Sequence, residues 1–160
     1  MILRKLSCLL FIIHASLLGQ KIEPSFKNVS YGPHQDMTLN FWKIESSKPL
    51  PLLVHIHGGG WLGGKKLETA HANELKKGYS FASIDYRLAG VELLPAAVHD
   101  AARAIQFLRT KAVEWNIDPK RIAVTGGSAG AASSMWLAYH DDMANPKSDD
   151  PVLRQSSRVC

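Results

Sequence analysis

Arg121-Ile122-Ala123-Val124-Thr125-Gly126-Gly127-Ser128-Ala129-Gly130 is the stretch that decides the architecture of this 160-residue chain. Arg121 to Thr125 shows little alternation of apolar and polar residues, as expected of a strand covered on both faces. It runs straight into a Gly-x-Ser-x-Gly turn, and the residues beyond predict a helix to about His140. A serine held clear of a sheet at a sharp strand-to-helix turn sits in a backbone conformation that crowds its neighbours. Gly126 and Gly130, two residues before and two after Ser128, remove the side chains that would collide. Ala129, Ala131 and Ala132 keep the first helical turn slim.

A second glycine cluster lies upstream. Leu52-Leu53-Val54-His55-Ile56 reads as another buried strand, and it ends in His57-Gly58-Gly59-Gly60-Trp61. Without Cβ atoms such a loop can turn its N–H groups inward. The N–H groups of Gly58, Gly59 and Ala129 are the candidate donors of an oxyanion hole beside Ser128. One such donor typically contributes about 3 kcal/mol of transition-state stabilisation. His57 is expected to hold the loop's shape, with Gly60, Gly126 and Gly130 as supporting positions.

The rest of the chain alternates strands with helices. Met37 to Ile44 alternates like a half-buried strand, and Ser46 to Pro51 is a break. Residues 65–77, where lysines alternate with acids, predict a solvated helix closed by Gly78. Tyr79 to Asp85 is a strand. Pro95 suits a helix's first turn, and Val98, Ala101, Ile105, Leu108, Ala112 and Trp115 form one apolar stripe after it. Asn116 to Pro119 is a turn, Asn145 to Pro151 a loop, and Val152 to Cys160 the approach to a further strand. The fold class is therefore α/β, a mostly parallel sheet with helices on both faces.

Composition narrows the function. The chain is 46% hydrophobic and 21% charged, which suits one globular domain. Its formal charge of +5 is spread among acids, which argues against a nucleic-acid partner. Cys8 and Cys160 stand at opposite ends and have no metal-ligand spacing, so no disulfide framework, metal or redox cofactor is expected. Arg4 and Lys5 followed by the apolar run Leu6–Leu18 predict a signal peptide over 1–19, too short to span a bilayer. The expected location is secreted or periplasmic, with no stable membrane span after cleavage, leaving 20–160 as the mature part.

Together His57-Gly58-Gly59-Gly60-Trp61, Asp85-Tyr86-Arg87-Leu88, Pro95-Ala96-Ala97, Asp100 and Gly126-Gly127-Ser128-Ala129-Gly130 resemble the hormone-sensitive-lipase-like and feruloyl-esterase-like carboxylesterases of the α/β-hydrolase fold. The resemblance implies cofactor-free hydrolysis of a small-molecule or polysaccharide-linked ester through an acyl-enzyme, with Ser128 as nucleophile. In that fold the triad acid and His follow the nucleophile in the chain. His140 lies twelve residues along the helix from Ser128, roughly 18 Å away, whereas a general base must come within about 3 Å. His34, His55, His71 and His99 occupy a turn, a strand and two helices without a motif, and Asp85 and Asp100 are expected to support nearby backbone or arginines. The expectation is an N-terminal part of the domain, truncated after the nucleophile helix and lacking the triad acid and His.

Two rival readings start from the same residues. Thr125-Gly126-x-x-x-Gly130 resembles the opening of a short-chain dehydrogenase loop, but Ala132 stands where that motif needs glycine. At least three candidate strands precede it, and no Tyr has a Lys four residues later. The other rival is a non-catalytic binding protein on a hydrolase scaffold, similar to the cholinesterase-like adhesion proteins; the intact elbow and glycine loop argue against it.

Overall fold

The computed structural model describes residues 21–71, 75 and 77–160, so the expected leader and Cys8 lie outside the described residues. In chain order the strands are β1 (Lys21–Ile22), β2 (Phe26–Ser30), β3 (Thr38–Trp42), β4 (Leu50–Ile56), β5 (Ala70–His71) and β6 (Ser80–Ile84). Helices α1 (Ala96–Thr110) and α2 (Ala112–Trp115) follow, then strand β7 (Ile117–Gly126) and helix α3 (Ala129–Tyr139).

Five strands form one mixed sheet in the order β2-β3-β6-β4-β7, while β1 and β5 pair separately. The apolar strands β6, β4 and β7 run parallel, and β2 and β3 add antiparallel at the β6 edge. Side chains alternate faces along a strand. Leu52, Val54 and Ile56 of β4, with Ala82 and Ile84 of β6, join the main core under α1 and α3. Leu53, Phe81 and Trp42 enter a smaller cluster on the other face with Ala70 and Leu75. Within the main core Trp115 stacks on Phe26 at 4.8 Å and meets Phe41 at 4.6 Å. Burying a side chain of this kind is worth about 1.5–3 kcal/mol, which is why the apolar stripe from Val98 to Trp115 faces the sheet and is buried throughout.

Several expectations change in detail. Residues 65–69 are not helical, and Ala70–His71 is a strand, so His71 lies on β5. Lys66, read as a solvated helix residue, is buried and paired with Asp85 at 2.7 Å. The expected turn at Asn116–Pro119 is a left-handed Asn116 followed by a bulge inside β7. There Asp118 accepts from the Lys120 N–H and from Arg121 Nε, which curls the three extra residues out of the ladder. Pro95 caps α1 from outside its first turn.

After α3 the chain is strapped to α1. Buried Gln106 donates to the Gln155 carbonyl at 2.8 Å, and Arg109 donates to the carbonyls of Ser156 and Arg158. Val152 to Cys160 makes turns and then reaches β7, where the Cys160 N–H donates to the Ile122 carbonyl at 3.0 Å.

Candidate active site

Strands β4 and β7 end side by side, with Ile56 opposite Gly126 in the parallel register. Both glycine motifs therefore emerge at the carboxyl ends of adjacent strands, where open α/β sheets place their ligands. The turn after β7 packs directly on the end of β4. A Cβ on Gly130 would be driven into the Ile56 carbonyl oxygen, and one on Gly126 would lie 2.7 Å from the Gly130 carbonyl carbon. Only glycine fits either position.

Between them Ser128 takes φ 53° and ψ −120°, a conformation costing of order 1–3 kcal/mol for a residue with a Cβ. Its side chain is exposed at the start of α3, and its carbonyl already accepts the Ala132 N–H at 3.0 Å. The hydroxyl is thus displayed at the positive end of the helix dipole, where negative charge is favoured.

The His57–Trp61 loop lies against this turn. A Cβ on Gly58 would sit 2.8 Å from the Gly127 carbonyl oxygen and 3.5 Å from Ser128 Cβ. Gly59, Gly60 and Trp61 follow with φ of 103°, 63° and 59°, which folds the loop back so that the N–H groups of Leu62 and Gly63 both donate to the Gly59 carbonyl. Among the described residues the Gly58 and Gly59 N–H groups have no internal backbone acceptor.

His57 is built into the loop's base. Its Nδ1 is 2.8 Å from the Gly58 carbonyl oxygen, so that nitrogen carries the proton and donates. Nε2 lies 3.7 Å from Asp85 Oδ1, and the ring stacks on Tyr86 at 4.2 Å. The Tyr86 hydroxyl donates to the His57 carbonyl at 2.8 Å, and burial pushes that hydroxyl's pKa up to about 12, so it remains a donor at neutral pH. Asp85 in turn accepts from the backbone N–H and the ammonium of Lys66, which also reaches Thr38 Oγ1. Asp85 thus supports backbone, as the sequence implies, and Asp100 binds Arg87 through its N–H, Nε and second guanidinium nitrogen.

Two contacts at the site had no signal in the sequence. Trp61 Nε1 donates to Ser133 Oγ at 3.1 Å, and that hydroxyl donates to the Ala129 carbonyl at 2.9 Å. The glycine loop is thereby pinned to α3 one turn beyond Ser128. Lys66 was the other, because its partner Asp85 lies nineteen residues away.

The remaining histidines are used elsewhere. His55 faces Ser83 Oγ at 3.1 Å, and burial followed by the nearby His57 lowers its pKa from 6.5. His140 caps the far end of α3 and stacks on Trp136 at 4.1 Å. His99 on α1 meets Trp136 as well, and His34 accepts the Asp36 N–H in a local turn. No histidine is hydrogen-bonded to Ser128 among the described residues, and no three His, Cys, Asp or Glu side chains there gather as metal ligands. Nor is any described helix long and apolar enough to cross a membrane.

This fold, with two glycine turns meeting at one sheet end, is that of an α/β hydrolase. Residues 40–158 match the BD-FAE family, and the chain belongs to it. It is 36% identical over 118 residues to the carboxylesterase NlhH of Mycobacterium tuberculosis, covering 70% of this chain and 36% of that protein. An arylesterase of Saccharolobus solfataricus is 42% identical over 107 residues, 64% of this chain and 35% of the arylesterase. Among solved structures, an acetyl ester-xyloside bifunctional hydrolase from Caldicellulosiruptor lactoaceticus aligns with a TM-score of 0.72 at 30% identity, over 86% of this chain and 55% of that one. The chain spans about a third of the length of these curated relatives.

Proposed function

We propose that the protein hydrolyses carboxylic esters through an acyl-enzyme on Ser128. The observation carrying this reading is the strained, exposed Ser128, whose turn packs so closely on Gly58 that a Cβ added there would lie 3.5 Å from Ser128 Cβ. In the first step Ser128 Oγ bonds to the ester carbonyl carbon and gives up its proton. The carbonyl oxygen takes the charge and is received by the N–H groups of Gly58, Gly59 and Ala129. Collapse breaks the ester C–O bond, and the alcohol leaves with the proton. Water then attacks the acyl group and regenerates Ser128.

His57 is a support in this scheme, since both its ring nitrogens face the loop and Asp85. The reading therefore assigns the base and its acid to residues outside these 160, and the 160-residue chain alone is expected to be inactive. Carboxylesterase and arylesterase relatives support the ester class. The basic, apolar N-terminus supports export, so the substrate is proposed to be a small or polysaccharide-linked ester met outside the cytoplasm. Export is tested by N-terminal sequencing of the mature protein, with cleavage near Gly19 or Gln20 expected and an intact Met1 in the exported protein contradicting it.

The complete protein is expected to hydrolyse short-chain aryl esters and to lose that activity on Ser128→Ala. Full activity in the variant refutes the proposal, and a folded protein without turnover favours a binding role.

A further inference from the structure

The peptide between Gly58 and Gly59 is held from one side and used from the other. Its carbonyl oxygen accepts the His57 Nδ1 proton at 2.8 Å, and its N–H, that of Gly59, is assigned to the oxyanion. A peptide unit is planar, so the imidazole that holds the carbonyl also aims the N–H. A neutral imidazole has one donor and one acceptor nitrogen. With the proton on Nδ1, the bare Nε2 of the buried ring faces Asp85 Oδ1 at 3.7 Å. An unbalanced carboxylate in that position would draw the proton onto Nε2 and away from the Gly58 carbonyl.

Lys66 supplies the balance. Its ammonium lies 2.7 Å from Asp85 Oδ2 and 3.1 Å from Thr38 Oγ1, and its backbone N–H donates to Asp85 Oδ1 at 2.5 Å. One residue thus occupies both carboxylate oxygens. The next residue is anchored as well: the Leu67 N–H donates to Ser83 Oγ, and the Leu67 carbonyl accepts from buried Asn40. The lysine side chain is only 7% exposed, so water screens its charge little. Asp36 and Lys65, of opposite sign, line the same cavity of about 110 Å³ beside His57. Among the described residues Lys66 is the cation paired with Asp85.

We infer that Lys66 is a positioning residue that keeps the His57 proton on Nδ1, and thereby holds the Gly59 N–H toward the oxyanion. It touches no reacting atom and acts through Asp85 and His57. Its effect on rate rests on the esterase reading above; its effect on the imidazole does not. Removing the ammonium leaves a buried carboxylate facing Nε2, and the proton moves there. The Gly58 carbonyl then loses its donor, and the glycine loop loses the bond that fixes its first peptide. Removing the carboxylate's charge together with the ammonium takes away the reason for the proton to move.

The test reads the ring-nitrogen resonances of His57 in the complete protein carrying isotope-labelled histidine, assigned by their loss in His57→Gln. The wild type is expected to show Nδ1 protonated and Nε2 bare. Lys66→Met is expected to move the Nε2 signal into the protonated range. It should also lower kcat for phenyl acetate about tenfold with KM little changed, since a donor is misaimed and not removed. Lys66→Met/Asp85→Asn is expected to return both readings close to the wild type. Should Lys66→Met fail to fold, the double variant decides alone. A protonated Nε2 in the wild type or in the double variant overturns the inference, as does a double variant still tenfold slow. So does a Lys66→Met protein in which either reading stays unchanged, a kcat loss without a moved proton marking a merely structural lysine. If the proton follows Lys66 as expected but the complete wild-type protein hydrolyses no ester, the control of His57 stands and the esterase reading falls.

Discussion

Trp61 and Ser133 are joined by a 3.1 Å hydrogen bond between the indole nitrogen and the hydroxyl, and through it the glycine loop and helix α3 form one unit. Ser133 Oγ passes the link to the Ala129 carbonyl, next to the peptide whose N–H is assigned to the oxyanion. Misplacing a donor by a fraction of an ångström weakens the interaction only where charge develops. Ser133→Ala is therefore expected to lower kcat of the complete enzyme about tenfold with KM little changed. Trp61→Phe should do the same, and the double variant should lose less than the product of the two. Fully multiplicative losses would separate the two residues.

The glycines of the Ser128 turn are steric requirements. Gly130→Ala drives a methyl group into the Ile56 carbonyl, backbone that cannot swing aside. The variant is expected to lose at least about 2 kcal/mol in urea unfolding, whereas Gly127→Ala, where an added Cβ meets nothing within 4 Å, should stay within about 0.5 kcal/mol.

Asp100 is 1% exposed and accepts three hydrogen bonds from Arg87. Truncating one partner of a buried pair typically costs about 3–5 kcal/mol. Glu92 also touches Arg87 and leaves it partly compensated, so Asp100→Ala should fall near the lower figure. A loss under about 1 kcal/mol by chemical denaturation would contradict the assignment.

His55 makes stability depend on pH. Burial, then the proximity of His57, holds its folded pKa below the ordinary 6.5. The unfolded chain therefore takes up the proton first as pH falls, and the stabilisation is complete above 6.5 and lost below it. Unfolding midpoints should drop between pH 7.5 and 5, and His55→Gln should flatten that slope. An unchanged slope would show that His55 does not carry it.

The architecture and the Ser128 turn were legible because steric demands write themselves locally. A strand, Gly-x-Ser-x-Gly and a slim alanine-rich helix are contiguous, and His57-Gly58-Gly59-Gly60-Trp61 follows its own buried strand. What failed to read depends on distant partners. Lys65 and Lys66 looked like one helix face, yet Lys66 is buried because Asp85 neutralises it from the end of another strand. β2, Phe-Lys-Asn-Val-Ser, is an edge strand with three of its five residues polar, so its pairing with β3 carries the signal that its sequence does not. The Trp61–Ser133 bond spans 72 residues and has no local pattern at all.

The most direct test of Ser128 as the activated nucleophile is labelling of the complete protein with a fluorophosphonate, followed by peptide mapping. Phosphorus attached to the Ser128 peptide, and no label on the Ser128→Ala protein, is the predicted result. Label on a different serine, or ester hydrolysis undiminished in Ser128→Ala, would contradict the account.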